Sequence, residues 1–289
     1  MAILWAGLGV VLIAAIVWEV FNDLFHPAGT GALSDWMGRA LFGMFKRFPQ
    51  LLPLAGPFTL LTVIALWVAG LIVGFALLYL PAYPAAFRTS TGAAPGASSP
   101  VLAVLYFSFQ TLITLGYGDI APWTWLVRFV ASTEALVGFG LLTASVSSIV
   151  LLYPALSRMR LLARVVSHIV DAERTSGIAL VATGSDVALS GLARDVTQAR
   201  IDLIHFPIVY YFASNDAKAR VATWVDELVR FANDGAEPSR PEHVRFAAKA
   251  LDRALDDFAA IVDERFLHTC SRDRASILDA LAKDQLVHG

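Results

Sequence analysis

The chain has 289 residues, 57% of them hydrophobic and 16% charged, against about 45–50% and about 25% in an ordinary soluble domain. That excess points to a membrane protein. A net charge of −2, with neither half strongly basic, excludes the electrostatic footprint of a nucleic-acid binder, and Cys270 as the one cysteine excludes an intrachain disulfide and a cysteine-based zinc site.

Charge is divided unevenly. Up to Pro154 the basic residues are Arg39, Lys46, Arg47, Arg88 and Arg128, and the acidic ones are Glu19, Asp23, Asp35, Asp119 and Glu134; the rest of the 22 basic and 24 acidic side chains follow. An apolar half is therefore joined to a water-facing half.

Met1 to Trp18 carries no charge, and a helix of about 20 apolar residues crosses a hydrocarbon core about 30 Å thick. Residues 1–26 read as an N-terminal transmembrane helix. A signal peptide fits less well, because no lysine or arginine precedes the run and no small-residue cleavage site follows it. Glu19, Asp23 and His26 share one face at the membrane boundary, as a solvated helix end closed by Pro27 and Gly29 or as an ion or proton site. In residues 33–48, Leu33, Trp36, Met37, Ala40, Leu41, Met44, Phe45 and Phe48 form one stripe, with Arg39, Lys46 and Arg47 off it. This predicts an amphipathic helix in the membrane interface; a core helix of a small soluble domain shares the pattern.

No residue between Arg47 and Arg88 is charged, and Leu54–Leu80 is long enough for a second span. The following "PAYPAAFRTSTGAAPGASSP" is a surface loop. Val101–Thr114 is apolar but too short to span, which suits a re-entrant or buried helix. A third span runs from about Trp123 to Tyr153, with Trp123 and Trp125 placed for an interfacial belt. Arg39, Lys46 and Arg47 on one side, and Arg158, Arg160 and Arg164 after the last span, mark cytoplasmic flanks by the positive-inside rule. The N-terminus and the loop bearing Arg88 are then outside.

Between the short helix and the last span lies "TLITLGYGDI", Thr111–Ile120. Non-helical backbone at membrane depth has to be buried in protein or line a water-filled cavity. Glycines at alternate positions admit positive φ, so the carbonyls of Thr114, Leu115, Gly116 and Tyr117 can all point one way and replace the water shell of a bare cation. One such stretch cannot encircle an ion, and a symmetric homo-oligomer follows, most simply of four copies.

The segment "SFQTLITLGYGD", Ser108–Asp119, resembles the pore-loop potassium-channel family, in which a threonine-rich pore helix runs into T-x-G-Y-G-D. The resemblance covers roughly Leu54 to Tyr153. It implies a pore module over residues 54–154, a homotetramer in the lipid bilayer, and no cofactor beyond the permeant potassium ion. Thr114 (hydroxyl and carbonyl), Leu115, Gly116 and Tyr117 would hold K+, Gly118 would complete the filter, and the Tyr117 ring would turn away to pack on a pore helix. Asp119 would brace the outer mouth with Gln110, which stands where several relatives carry a glutamate. Gly138 resembles the hinge glycine of the inner helix; hinge and close packing are both open, with Gly140 a rival. Thr143 and Ser147 face the cavity or bond back to their own helix. Glu134, an acid inside a span, is expected to make a structural hydrogen bond to the pore helix or its neighbour.

No segment carries arginine or lysine at every third position, so a voltage-sensing helix is not expected. Residues 155–289 read as a helical cytoplasmic assembly or regulatory domain with helices at about Ala155–Ala172, Asp186–Leu203, Asp216–Ala232, Pro241–Phe266 and Arg272–Val287. Ser185, Asn215 and Ser239 stand at N-cap positions. "ATGSDVALSGLARD" does not fit a dinucleotide fingerprint. "RDVTQARIDLIHFPIVYYF" suits an anionic ligand, or a subunit contact in which Arg200 faces Asp202 or Asp195. The histidine spacings suggest no metal site.

The expected fold is an all-α membrane protein with three transmembrane helices, a re-entrant pore helix and filter, and an all-α cytoplasmic domain. The expected function is that of a potassium-selective channel subunit, gated at the inner helices and modulated by the cytoplasmic domain, which has room for an unknown cytosolic ligand. The location expected is a multi-pass cell membrane, in keeping with the composition that of a bacterium. A membrane receptor or scaffold with a vestigial pore is the alternative; a transporter would carry four pore loops in one chain, and no catalytic cluster supports an enzyme.

Overall fold

A computed structural model describes residues 1–25, 31–89, 99–183, 186–212, 216–269, 271 and 273–285. His26, Pro27, Gly29, Ser185, Asn215, Cys270 and Arg272, singled out above, lie outside these. The helices are α1 (Ala2–Phe25), α2 (Ala32–Phe45), α3 (Ala55–Tyr79), α4 (Pro100–Leu112), α5 (Trp125–Ser176), α6 (Asp186–His205), α7 (Val225–Gly235), α8 (Glu242–Val262) and α9 (Arg274–Gln285). Three of them, α1, α3 and α5, are long and apolar enough to cross a membrane. The protein is an all-α membrane protein.

The chain divides into two compact units. The first comprises Met1–Met37 and Leu60–Val150, so the first helix packs with α3, α4 and the first part of α5. Its core is an apolar cluster from α3, α4 and α5 that includes Trp67, Leu71, Phe75, Val104, Phe107 and Val127. Tyr79, Phe87 and Phe107 form an edge-on aromatic group with centroids 5.1 to 5.9 Å apart. Helix α1 meets α3 where a Cβ on Gly9 would lie 2.6 Å from the Gly74 carbonyl. The two backbones approach that closely because no side chain stands between them.

Glu19 and Asp23 are not simply left to water: each accepts a backbone N–H. Glu19 Oε1 accepts from the Leu33 N–H at 2.7 Å and Asp23 Oδ1 from the Gly31 N–H at 3.3 Å. Both carboxylates thus occupy the N-terminus of α2, where unpaired N–H groups favour negative charge.

A two-stranded antiparallel ribbon was not expected from the sequence. β1 (Phe87–Thr89) pairs with β2 (Ile120–Pro122) in the register Phe87↔Pro122, Arg88↔Ala121, Thr89↔Ile120. The strands are three residues each, too short for an alternating pattern to register. The Arg88 guanidinium covers the Trp123 ring, 3.0 Å from its centroid, a cation–π contact that closes the end of the ribbon.

The second unit comprises Gly38–Thr59 and Leu151–Gly289. The sequence places a break at Pro154, but α5 runs through it as one helix of 52 residues. Proline removes one hydrogen bond and costs about 3 kcal/mol inside a helix. Burial of Leu152, Ala155 and Leu156 around it offsets that loss. The expected helix from Asp216 to Ala232 is also different: short 3-10 turns at Ala217–Ala219 and Val221–Thr223 precede α7. The N-cap of α8 is Pro241 and not Ser239.

Helices α6 and α8 pack together as the centre of this unit, burying Leu189, Leu192, Val196, Leu251, Leu255 and Phe258. Four ion pairs fasten the α5 extension: Arg158–Asp202 at 2.7 Å, Asp171–Lys218 at 2.8 Å, Glu173–Arg230 at 2.5 Å, and Arg164–Asp216. Within the chain Asp202 is therefore the bidentate partner of Arg158, and Asp195 pairs with its neighbour Arg194. The apolar stripe of α2 is shared out as well. Phe42 and Phe45 are buried against Tyr210, Tyr211 and Phe58, while Trp36, Met44 and Phe48 stay exposed.

Candidate functional site

The site lies between the end of α4 and the start of β2. Helix α4 begins at Pro100, a position where proline costs no hydrogen bond, and ends with Ile113 N–H still bonded to the Phe109 carbonyl at 3.2 Å. The chain then leaves the helix: Thr114 N–H donates to Thr111 O at 3.0 Å and Leu115 N–H to Gln110 O at 2.8 Å. From there φ alternates. Thr114, Gly116 and Gly118 have φ of +57°, +56° and +78°, whereas Leu115 and Tyr117 do not enter the positive region. Alternation of left-handed and ordinary conformations turns successive carbonyls toward one side of a strand. Thr114 does this without being a glycine, a strain of about 1–3 kcal/mol, so the loop is held by its surroundings.

Those surroundings include Gln110, which is 2% exposed. Its Oε1 accepts from the Tyr117 N–H at 3.1 Å and its Nε2 donates to Asp119 Oδ1 at 3.3 Å. One side chain thus ties the middle of the loop to its C-terminal end. Asp119 also accepts from the Ile120 N–H at 3.0 Å and from the Tyr106 hydroxyl. Tyr106 escapes a sequence reading, because a tyrosine one turn before Gln110 on an apolar helix looks like packing. The Tyr117 ring is 69% exposed; its own α4 does not cover it.

Behind the loop, Glu134 is fully buried. It joins three helices: Tyr79 Oη on α3 donates to Oε2 at 2.7 Å, and Ser108 Oγ on α4 lies 2.5 Å from Oε1. Glu134→Ala removes the acceptor of a buried phenol, which costs about 1–3 kcal/mol, with a cavity term added. We expect a clear fall in the melting temperature of the detergent-solubilised protein, and a smaller one for Glu134→Gln, whose amide oxygen still accepts from Tyr79. Equal melting of the alanine variant and the wild type would remove this role.

At Gly138 a Cβ would lie 2.0 Å from the Leu112 carbonyl, whereas at Gly140 it would meet nothing within 4 Å. Gly138 is therefore the point where α5 crosses the end of α4. Thr143 and Ser147 donate to the carbonyls of Phe139 and Thr143, each at 2.9 Å, on an exposed stretch of the helix. Among the described residues no group of histidine, cysteine and carboxylate side chains is arranged to hold a metal ion.

Residues 61–153 match the family described as "Ion channel". The chain is 27% identical over 159 residues to the "Uncharacterized membrane protein YdjJ" of Bacillus subtilis (strain 168), covering 54% of this chain and 45% of that one. It is 38% identical over 86 residues to the "Two pore potassium channel c" of Oryza sativa subsp. japonica, covering 27% of this chain and 19% of that one. It is 34% identical over 83 residues to "Protein LctB" of Bacillus caldotenax, covering 27% and 61%. The chain thus spans less than two thirds of the length of each of these relatives. No solved structure matches it significantly.

Proposed function

From the match of residues 61–153 to the "Ion channel" family and the likeness to a two pore potassium channel, we infer that the chain is one subunit of a homotetrameric, potassium-selective channel. The observation that carries this reading is the alternating positive φ at Thr114, Gly116 and Gly118, which suits a column of carbonyls from Thr114 to Tyr117. Around a fourfold axis these carbonyls stand in for the hydration shell of K+. A single chain provides only one wall of such a pathway, and the exposed Tyr117 ring is matched to a surface on a neighbouring copy.

In this reading Gln110, Tyr106 and Asp119 hold the outer end of the filter, and Glu134 fixes the pore helix from behind. Gly138 seats α5 against α4, and Thr143 and Ser147 line the aqueous side of the inner helix. The N-terminus lies outside and residues 155–289 form a cytoplasmic domain that modulates opening, in accord with the basic residues flanking the spans. The exposed Trp36 and Met44 of α2, and Phe48 just after it, are placed for the membrane interface.

The test is cation flux through the purified full-length protein in liposomes, with potassium opposed by sodium. A barium-sensitive current that reverses near the potassium potential is expected. Equal permeability to sodium would remove the selectivity assigned to Thr114–Gly118.

A further inference from the structure

The aromatic stretch after α6 has a use that neither an anionic ligand nor a subunit contact describes. Pro207–Tyr211 form a single 3-10 turn, and the rings at its end are seated in Gly38–Thr59. Tyr211 lies where a Cβ on Gly38 would come within 2.5 Å of its ring, and Phe212 where a Cβ on Gly56 would come within 2.4 Å. Phe42 packs on Tyr210 and Tyr211 with centroids 6.1 and 5.4 Å away. On its other side Tyr210 stacks on Phe266 at 4.1 Å and 3° and donates to Asp284 Oδ2 at 2.5 Å. Asp284 in turn holds Lys46, which follows α2.

We propose that Tyr210–Phe212 is an intramolecular latch by which the C-terminal domain grips the segment leading into α3, and that releasing it makes the pore easier to open. Two glycines leave notches with no room for a methyl group, so the fit is specific to rings over bare backbone. The same domain also holds the α5 extension through the ion pairs of Arg158, Arg164, Asp171 and Glu173. The start of α3 and the continuation of α5 are thus fixed to one body. Any rearrangement that moves one against the other unseats the rings or breaks the pairs, and the seated state resists it. The closing Lys46–Asp284 pair is reachable from water, with side chains 30% and 25% exposed, so release needs no opening of the domain core.

The gating part of this proposal rests on the channel reading above. Its test uses full-length protein in liposomes. Tyr211→Ala and Gly38→Ala are each expected to raise resting potassium flux about tenfold, the size of shift that one lost packing contact produces, with selectivity and oligomer size unchanged. In the double variant the methyl on residue 38 no longer meets a ring, so the two effects do not add. Unchanged or reduced flux in oligomers of normal size, or additive effects, overturns the latch. Hydrogen exchange separates the two readings: amides of Gly38–Phe48 should exchange faster in Tyr211→Ala whether or not the pore conducts. Faster exchange with no flux in any variant, wild type included, refutes the channel reading and the gating role together, while the seating contact stands. Unchanged exchange refutes the contact itself.

Discussion

Replacing Gly116 by alanine is expected to abolish potassium-selective flux in liposomes while the protein still purifies as an oligomer of the same size. Gly116 has φ of +56°, and a Cβ there would meet nothing within 4 Å. The penalty therefore comes from the backbone and not from crowding: about 1–2 kcal/mol for an L-residue in the left-handed region. Relaxing toward negative φ would swing one carbonyl out of the row formed from Thr114 to Tyr117. In a fourfold pathway that fault recurs in every copy at the same depth. Gly177 is a control, since its φ is +69°, its Cβ position is open and it lies in the C-terminal unit. Gly177→Ala carries a like backbone strain and should leave selectivity alone. Normal selective flux through Gly116→Ala would overturn the assignment of the filter.

Gly138→Ala should be the most damaging single methyl in the first half of α5. The atom 2.0 Å from its added Cβ is the backbone carbonyl of Leu112, which cannot rotate aside as a side chain would. Overpacking of this kind costs about 1–3 kcal/mol or more, and here it separates α5 from the end of α4 just before the Thr114–Gly118 loop begins. We expect a marked loss of oligomer surviving a heating step before size-exclusion chromatography. Gly140→Ala, two residues on, should survive as well as the wild type or better, because alanine is favoured over glycine within a helix by about 1 kcal/mol and nothing stands in its way. Equal survival of the two variants would show that the crossing tolerates a wider spacing.

The parts of this arrangement that were legible in the sequence are those fixed by short-range chemistry. Uninterrupted apolar runs announce α1, α3 and the first half of α5, and the alternate glycines at 116 and 118 announce the loop. Gln110 was legible as a possible partner of Asp119 through the family resemblance alone, since it stands where several relatives carry a glutamate. What the sequence does not carry is pairing at long range. Nothing in the string links Glu19 to Leu33, or Tyr211 to Gly38, until the fold brings them together. The choice between hinge and packing at Gly138 was open for the same reason, because it depends on which carbonyl passes by. Pro154 misleads in a different way: its local preference to stop a helix is real, and tertiary burial of Leu152, Ala155 and Leu156 overrides it.

The scaffold around the Thr114–Gly118 loop also has a character with respect to acid. Gln110, which ties Tyr117 to Asp119, is an amide and has no proton to gain or lose across the physiological range. Where a glutamate stands in its place, that tie can change state as the medium acidifies. For Asp119, burial pushes the carboxyl up, but hydrogen bonds from the Tyr106 hydroxyl, the Ile120 N–H and Gln110 outweigh it and hold its pKa below the ordinary carboxylate value. A depressed carboxylate keeps its charge at every pH above that lowered value, and its contribution fades only as pH falls through it. Moderate acidification therefore leaves this tie as it is, and on the channel reading proposed above Gln110 and Asp119 would hold their end of the loop alike at neutral and mildly acidic pH.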